Sequence, residues 1–244
     1  MMSRRLARAL ALLLVLAPWP ALADVSALYR AGDDRLTVEV ADNGDARVEV
    51  GEFVYLRHGG AEYLTLEKFG GISITGRRDD MLKFLGVLFR ADPQTAKLAT
   101  PDPITPTVEP LPATEVLGLK GQGWRVWPKG KRDPAGSMDM ACTDAPQLAP
   151  VGPVLQAMVG TFLTAFAPMD KGGHFRAILA VIRQKGAPLS VQGAMMGAKM
   201  QLDRLETGRI DPKRFAVPED LFSAEMLDAL AAQMKSDLEK GKTP

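Results

Sequence analysis

The chain has 244 residues, with 30 Lys or Arg, 29 Asp or Glu, two His and one Cys. This near-balanced charge lacks the concentrated positive face by which proteins bind nucleic-acid phosphates, so no nucleic-acid partner is expected. A single cysteine excludes an internal disulfide, so the stability of the fold has to come from packing.

The N-terminus has the features of a secretory signal peptide. Three arginines among the first eight residues precede an apolar run over residues 9–20, and residues 21–23 are Ala-Leu-Ala. This pattern predicts a signal peptide of residues 1–23, cleaved after Ala23, and export to a bacterial periplasm. The apolar run is too short to span a bilayer. Removing the signal peptide with its three arginines leaves 27 basic and 29 acidic residues, a net charge of −2.

Residues 36–67 alternate apolar and polar side chains, as a half-buried strand does. Asn43 and Gly44 favour a hairpin turn because both residues tolerate positive φ. Four closely spaced strands predict an antiparallel meander, since parallel strands would need long crossovers. The candidate inner-face residues of this meander are Leu36, Val38, Val40, Ala46, Val48, Phe53 and Tyr55.

The hydrophobic period then changes to that of a helix. Residues 79–90 place large apolar groups on one helical face, with Asp79 and Asp80 at the N-terminal end, where the helix dipole favours acids. Six prolines in residues 91–112 predict an extended loop or linker.

The rest of the chain predicts strands and helices in mixed order. Strands are expected near residues 114–128 and 137–143, an apolar helix over 151–166 and a second helix over 174–185. Closing strands are expected within 188–206 and at residues 215–218. A polar-faced terminal helix begins at Ala224 and frays at its end.

The residues suited to catalysis are few. His58 and His174 are the two histidines, and no hydrolase, zinc-protease or phosphate-binding motif occurs. Both histidines are interpreted as ordinary loop and helix-start residues. A Cys142–His174 pair could activate a thiolate, but nothing in the spacing requires the two to meet. The chain is therefore expected not to be an enzyme and to need no cofactor.

Two features suggest ligands instead. Met138, Met140 and Cys142 would share one face of a strand, and such soft ligands suit Cu(I), although methionine also fills cores. No charged residue lies between Asp144 and Asp170, so the 151–166 helix is either buried on both sides or it lines a cavity or touches a lipid. Its length and prolines argue against a membrane span.

Three stretches carry a family resemblance: "LYRAGDDRLTVEVADNGDARVEV", "LGLKGQGWRVW" and "GAPLSVQG" followed by "MQLDRLETGRIDPKRFAVPED". With the order of elements, they resemble the periplasmic lipoprotein-carrier superfamily, the outer-membrane lipoprotein localisation factors. The resemblance implies an α+β fold: a half-open antiparallel β-barrel with helices packed on or closing the concave face. It covers residues 24–222, with the Pro-rich loop 91–112 inside it, and leaves 223–244 as a C-terminal helix and frayed tail.

The resulting hypothesis is a periplasmic, non-enzymatic carrier of an apolar or acyl-containing ligand. The expected partners are a lipid or acylated ligand and a transient contact with a membrane or lipoprotein. Two alternatives stay open: a Cu(I) protein using Met138, Met140 and Cys142, and an envelope scaffold with a fully packed interior. The candidate ligand-binding residues are Leu85, Leu88, Phe89, Trp124, Met158 and Phe162.

Overall fold

A computed structural model describes most of the chain. The described residues are 23–69, 71–91, 105–128, 132, 136–167, 170, 172–193 and 198–239. The predicted signal peptide, apart from Ala23, lies outside them, as do residues 92–104 of the Pro-rich loop and the C-terminal tail from residue 240.

The described residues form an α+β fold with one antiparallel sheet of eleven strands. The strands are β1 (Val25–Ala31), β2 (Asp34–Val40), β3 (Ala46–Val50), β4 (Phe53–His58), β5 (Ala61–Phe69), β6 (Ile72–Arg77), β7 (Thr107–Val116), β8 (Leu119–Trp127), β9 (Met138–Thr143), β10 (Ala187–Gly193) and β11 (Met200–Thr207). The sheet order is β6-β5-β4-β3-β2-β1-β11-β10-β9-β8-β7, so β6 and β7 are the two edges and the sheet is not closed.

Four α-helices accompany the sheet in the described part of the chain. They are α1 (Arg78–Ala91), α2 (Val151–Phe166), α3 (His174–Lys185) and α4 (Ala224–Glu239). All four were predicted, α1 and α2 from the period of their apolar residues, and the predicted acidic first turn of α1 is confirmed. Short 3₁₀ helices occur at Pro146–Leu148 and Pro212–Phe215.

The meander from β2 to β5 is confirmed, with one difference in its first turn. Residues 41–45 form a five-residue loop in which Gly44 has φ +88° and Asn43 stays at negative φ. The side-chain oxygen of Asn43 instead accepts a hydrogen bond from the backbone N–H of Asp45 at 2.9 Å. Asparagine therefore acts here through its side chain, as in an Asx turn.

Two predictions about elements were wrong. Residues 107–112, expected to belong to the proline loop, form the first part of β7, with Pro110 and Pro112 inside the strand. An edge strand tolerates proline because one side of its backbone needs no hydrogen-bond donor. Residues 215–218, expected to be a strand, begin at the end of the second 3₁₀ helix and continue without regular structure.

The main core lies between the sheet and helices α1, α2 and α3, and helix α4 adds Leu227 and Ala231 to it. Helix α1 contacts β5 and β6, α2 contacts β2, β3 and β10, and α3 contacts β9. The sheet face that these helices cover is called the inner face below. The predicted inner-face residues all belong to this core; Phe53 is half-buried and the other six are buried. The period-2 pattern thus identified the correct face of the meander.

The opposite, outer face carries a second and smaller cluster. Leu56 and Tyr63 pack there against Phe215, which belongs to the segment 208–217. Arg214 of this segment bonds Glu39 on β2 at 2.9 Å and Glu49 on β3 at 3.0 Å. This ion-pair cluster raises the pKa of Arg214, chiefly through its hydrogen bonds to Glu39. The segment therefore ties two strands together from outside.

One described segment, Pro146–Phe166, is long and apolar enough by composition to cross a membrane, with a mean hydropathy of 1.4. Core helices of folded proteins satisfy the same criterion, so it is weak evidence of a span. In this fold Val151, Val154 and Leu155 are buried in the main core. The segment therefore supplies much of the apolar surface that holds the helices to the sheet.

Candidate functional site

An apolar groove opens between helix α2 and strands β3 to β5. Its volume is about 350 Å³. Six of its lining residues are apolar, and two are glutamates. The lining residues are Val50, Glu52, Phe53, Leu66, Glu67, Phe69, Phe162 and Phe166.

The local sequence explains why phenylalanines line this groove. Phe53 and Leu66 face each other across β4 and β5, so both project from the inner face. Phe162 and Phe166 lie one turn apart on α2, which places them on the same side of the helix. Their rings stack with centroids 4.5 Å apart. All four side chains are only half-buried, so they present apolar surface to the groove.

Aromatic contacts join this groove to the other two helices on the inner face. Phe89 of α1 meets Phe166 edge-on, with ring centroids 4.8 Å apart. Phe175 of α3 meets Phe162 at the same centroid distance. These are favourable geometries for aromatic pairs. A displacement of α1 or α3 would therefore change the wall of the groove directly.

The six residues predicted to bind ligand fall into three places. Phe162 lines the groove, and Phe89 contacts its wall through Phe166. Leu85 and Met158 are buried in the main core, and Leu88 packs against that core half-buried. The structure thus brings Phe89 and Phe162 together at one site.

Trp124, the sixth predicted residue, lies at a different cavity of about 450 Å³, beside β8, β9 and the end of α3. The ammonium group of Lys185 sits 4.2 Å from the centre of its ring, a cation–π contact. The indole Nε1 is buried without a hydrogen-bond partner in the described part of the chain.

Sequence reasoning missed most of the groove. Val50, Leu66, Phe69 and Phe166 were not among the predicted ligand residues, although Phe166 ends the apolar stripe of the 151–166 helix. Phe53 was predicted only as an inner-face residue. The sequence feature that could have revealed the groove was the set of large apolar residues at the ends of strands β4 and β5 together with those in the C-terminal turn of α2.

The three residues of the metal alternative do share one face of β9. Met138, Met140 and Cys142 are each exposed by 2% or less and belong to the main core. Burial raises the pKa of the Cys142 thiol to about 12, against an opposing effect of nearby Lys185. A protonated thiol is not the metal-binding form. Among the described residues, no group of three or more His, Cys, Asp or Glu is placed to hold a metal ion.

Cys142 is expected to be inert toward thiol reagents in the folded protein. At pH 8 it should react with Ellman's reagent only after denaturation, because it is buried and protonated. Its raised pKa also makes the free energy of unfolding depend on pH. Above the ordinary thiol pKa of 9.0 the unfolded thiol ionises while the folded one does not, so the free energy of unfolding should fall. Rapid labelling of the native protein would contradict this account and favour a reachable soft-metal site.

The two histidines lie away from the apolar groove. His58 is 48% exposed and its Nδ1 is 2.8 Å from Asp45. Burial opposes ionisation of Asp45, but hydrogen bonds from Gly59, Asn43 and His58 lower its pKa. This pair borders a cavity of about 600 Å³, which Asp24 also lines. His58 thus has a structural partner, beyond the solvated turn that was predicted.

Cys142 and His174 do not form a catalytic pair. Cys142 lies near Lys185, at the last residue of α3, whereas His174 is the first residue of that helix. The two ends are about 16 Å apart along the helix axis. The Nδ1 atom of His174 is buried and has no hydrogen-bond partner within the described residues.

The apolar groove offers no acid–base pair among its described lining residues, since its only titratable groups there are two adjacent glutamates. What it offers is apolar surface under a helix, within the size range of small-molecule sites. No family model, curated protein or solved structure matches the chain, so its function has to be argued from this groove.

Proposed function

We propose that the mature chain, residues 24–244, is a periplasmic, non-enzymatic binding or carrier module for an apolar or acyl-containing ligand. The observation that carries this proposal is the groove between α2 and strands β3 to β5. It has a volume of about 350 Å³ and is lined by four phenylalanines. The signal-peptide pattern of residues 1–23 supports the periplasmic location.

The proposal includes a sheet that curves around the helices as a half-open barrel. Neighbouring strands are about 4.8 Å apart, so a flat sheet would separate β6 from β9 by about 38 Å. Helix α2 packs against both α1 and α3, and adjacent packed helices lie only 8–10 Å apart. Yet α1 contacts β6 and α3 contacts β9. A sheet curved toward the helices accounts for these contacts.

Binding would be driven by the release of water from apolar surface, worth about 25 cal/mol per Å² buried. A methylene group occupies about as much space as a water molecule, about 30 Å³. The groove volume of about 350 Å³ therefore suits an apolar segment of about twelve carbons. Movement of α1, which contacts the groove wall through Phe89, would open and close the site. Loading and release would take place at a membrane or a lipoprotein.

The proposal is tested by titrating residues 24–244 with 1-N-phenylnaphthylamine, a neutral probe that fluoresces in apolar surroundings. We expect saturable fluorescence, displaced by monododecanoyl glycerol, whose chain matches the groove. The control is the same chain after thermal unfolding. Fluorescence that does not saturate, or that a ten-carbon or twelve-carbon chain fails to displace, would contradict a built apolar site.

A further inference from the structure

The cavity of about 450 Å³ beside β8, β9 and the end of α3 is separate from the apolar groove and shares none of its lining residues. Trp124 lines this second cavity together with two lysines, Lys120 and Lys185, and one acid, Asp144. Within the described part of the chain, none of these three charged residues forms an ion pair. Two positive charges against one negative charge give the lining a net charge of +1.

The indole N–H of Trp124 lacks a hydrogen-bond acceptor. Its Nε1 atom is buried and has no partner among the described residues. Lys185, whose ammonium lies 4.2 Å from the centre of the ring, cannot supply one, because an ammonium group only donates. The side-chain amide of Gln122, which also lines the cavity, is turned to the carbonyls of Leu111 and Gly123. A buried unpaired donor costs free energy, so such an atom points to a missing water, ion or ligand.

We infer that this cavity binds a small carboxylate. One carboxylate oxygen accepts the indole N–H of Trp124, and the other meets the ammonium of Lys185. The two donors belong to one cation–π pair, so a single carboxylate spans them and gains two hydrogen bonds, of which the one to the ammonium is charge-assisted. The charge of the carboxylate also balances the net charge of +1 on the lining. The cavity volume lies within the range of small-molecule sites.

The indole N–H signals in the NMR spectrum of residues 24–244 test this inference. Without the predicted signal peptide the chain keeps two tryptophans, Trp124 and Trp127, and Trp124→Phe identifies their signals. We expect benzoate to move the Trp124 indole proton downfield in a saturable manner, because the N–H gains an acceptor. Trp127 does not line the cavity, so its signal should stay in place. Benzamide keeps the ring and an acceptor oxygen without the charge, and should bind about tenfold more weakly.

A pair of lysine variants locates the charge that the ligand meets. Lys185→Gln should weaken benzoate binding about tenfold, since it removes the ammonium beside the ring. Lys199→Gln removes the same charge at an exposed position that does not line the cavity, and should bind benzoate as the wild type does. An unchanged Trp127 signal in each variant shows that the chain is folded.

Three results would each overturn the inference: a Trp124 signal that benzoate leaves in place, equal affinity for benzoate and benzamide, or equal benzoate affinity in Lys185→Gln and the wild type. Because the two sites share no lining residue, none of these results would alter the displacement of 1-N-phenylnaphthylamine from the apolar groove. The inference and the proposed function can therefore fail separately.

Discussion

Replacing Phe162 with aspartate is expected to abolish retention of an apolar ligand. Phe162 lines the groove and stacks on Phe166, with ring centroids 4.5 Å apart. An aspartate would place a charge on this apolar wall and remove the aromatic surface that the chain contacts. Because a charge is poorly tolerated in apolar surroundings, affinity should fall by about a hundredfold or more. Displacement of 1-N-phenylnaphthylamine measures the change.

Two further variants separate loss of binding from loss of folding. Phe162→Leu keeps an apolar side chain and should retain most of the affinity. Leu117→Asp introduces the same charge at a residue that is 55% exposed and lies in the β7–β8 turn, away from the groove. It should bind as the wild type does. If Phe162→Asp unfolded the chain at the same temperature at which it lost the probe, Phe162 would be an ordinary core residue.

Replacing Asp170 with alanine is expected to destabilise the fold by about 3–5 kcal/mol, the usual cost of removing one partner from a buried ion pair. The Asp170 side chain is fully buried and bonds the guanidinium of Arg176 at 3.1 Å. It also accepts hydrogen bonds from the backbone N–H groups of Phe175 and Arg176, in the first turn of α3. Urea unfolding of wild type and variant measures the difference.

The effect of Asp170→Ala should reach the groove, because Phe175 packs on Phe162 with ring centroids 4.8 Å apart. We therefore expect weaker probe binding even at temperatures where the variant is folded. Asp170→Asn preserves the shape and an acceptor oxygen and should lose less stability. Asp203→Ala removes a carboxylate from an exposed pair with Arg30 and should cost less than about 1 kcal/mol. Equal losses for Asp170→Ala and Asp203→Ala would contradict the structural role of Asp170.

The period of the apolar residues predicted most of the fold. Val38 and Val48 alternate with polar neighbours and are completely buried, because a strand with one buried face fixes its side-chain pattern. Residues 107–112 were not predicted as a strand because proline normally ends a strand. The position of β7 at the sheet edge permits proline there. Phe215 and Val217 were assigned to a strand, yet they pack in the outer-face cluster without a repeating pattern.

The candidate site was less predictable, since it depends on which elements meet. The sequence indicates that Phe53 and Phe166 belong to apolar faces, but it does not place the end of α2 over β4 and β5. That placement brings together residues separated by more than a hundred positions. Trp124 was predicted to line the same site, but the sheet order puts it beside β9 and α3, at another cavity.

Native mass spectrometry can detect an apolar ligand held in the groove beneath α2. The sample is residues 24–244, purified gently from the periplasm of an expressing cell. We expect an adduct of acyl-chain size that is retained by Leu117→Asp and lost in Phe162→Asp. A copper-sized adduct lost on Met138→Leu would instead support the soft-metal alternative. A bare polypeptide mass for both the wild type and Leu117→Asp would contradict the carrier proposal and favour a packed scaffold.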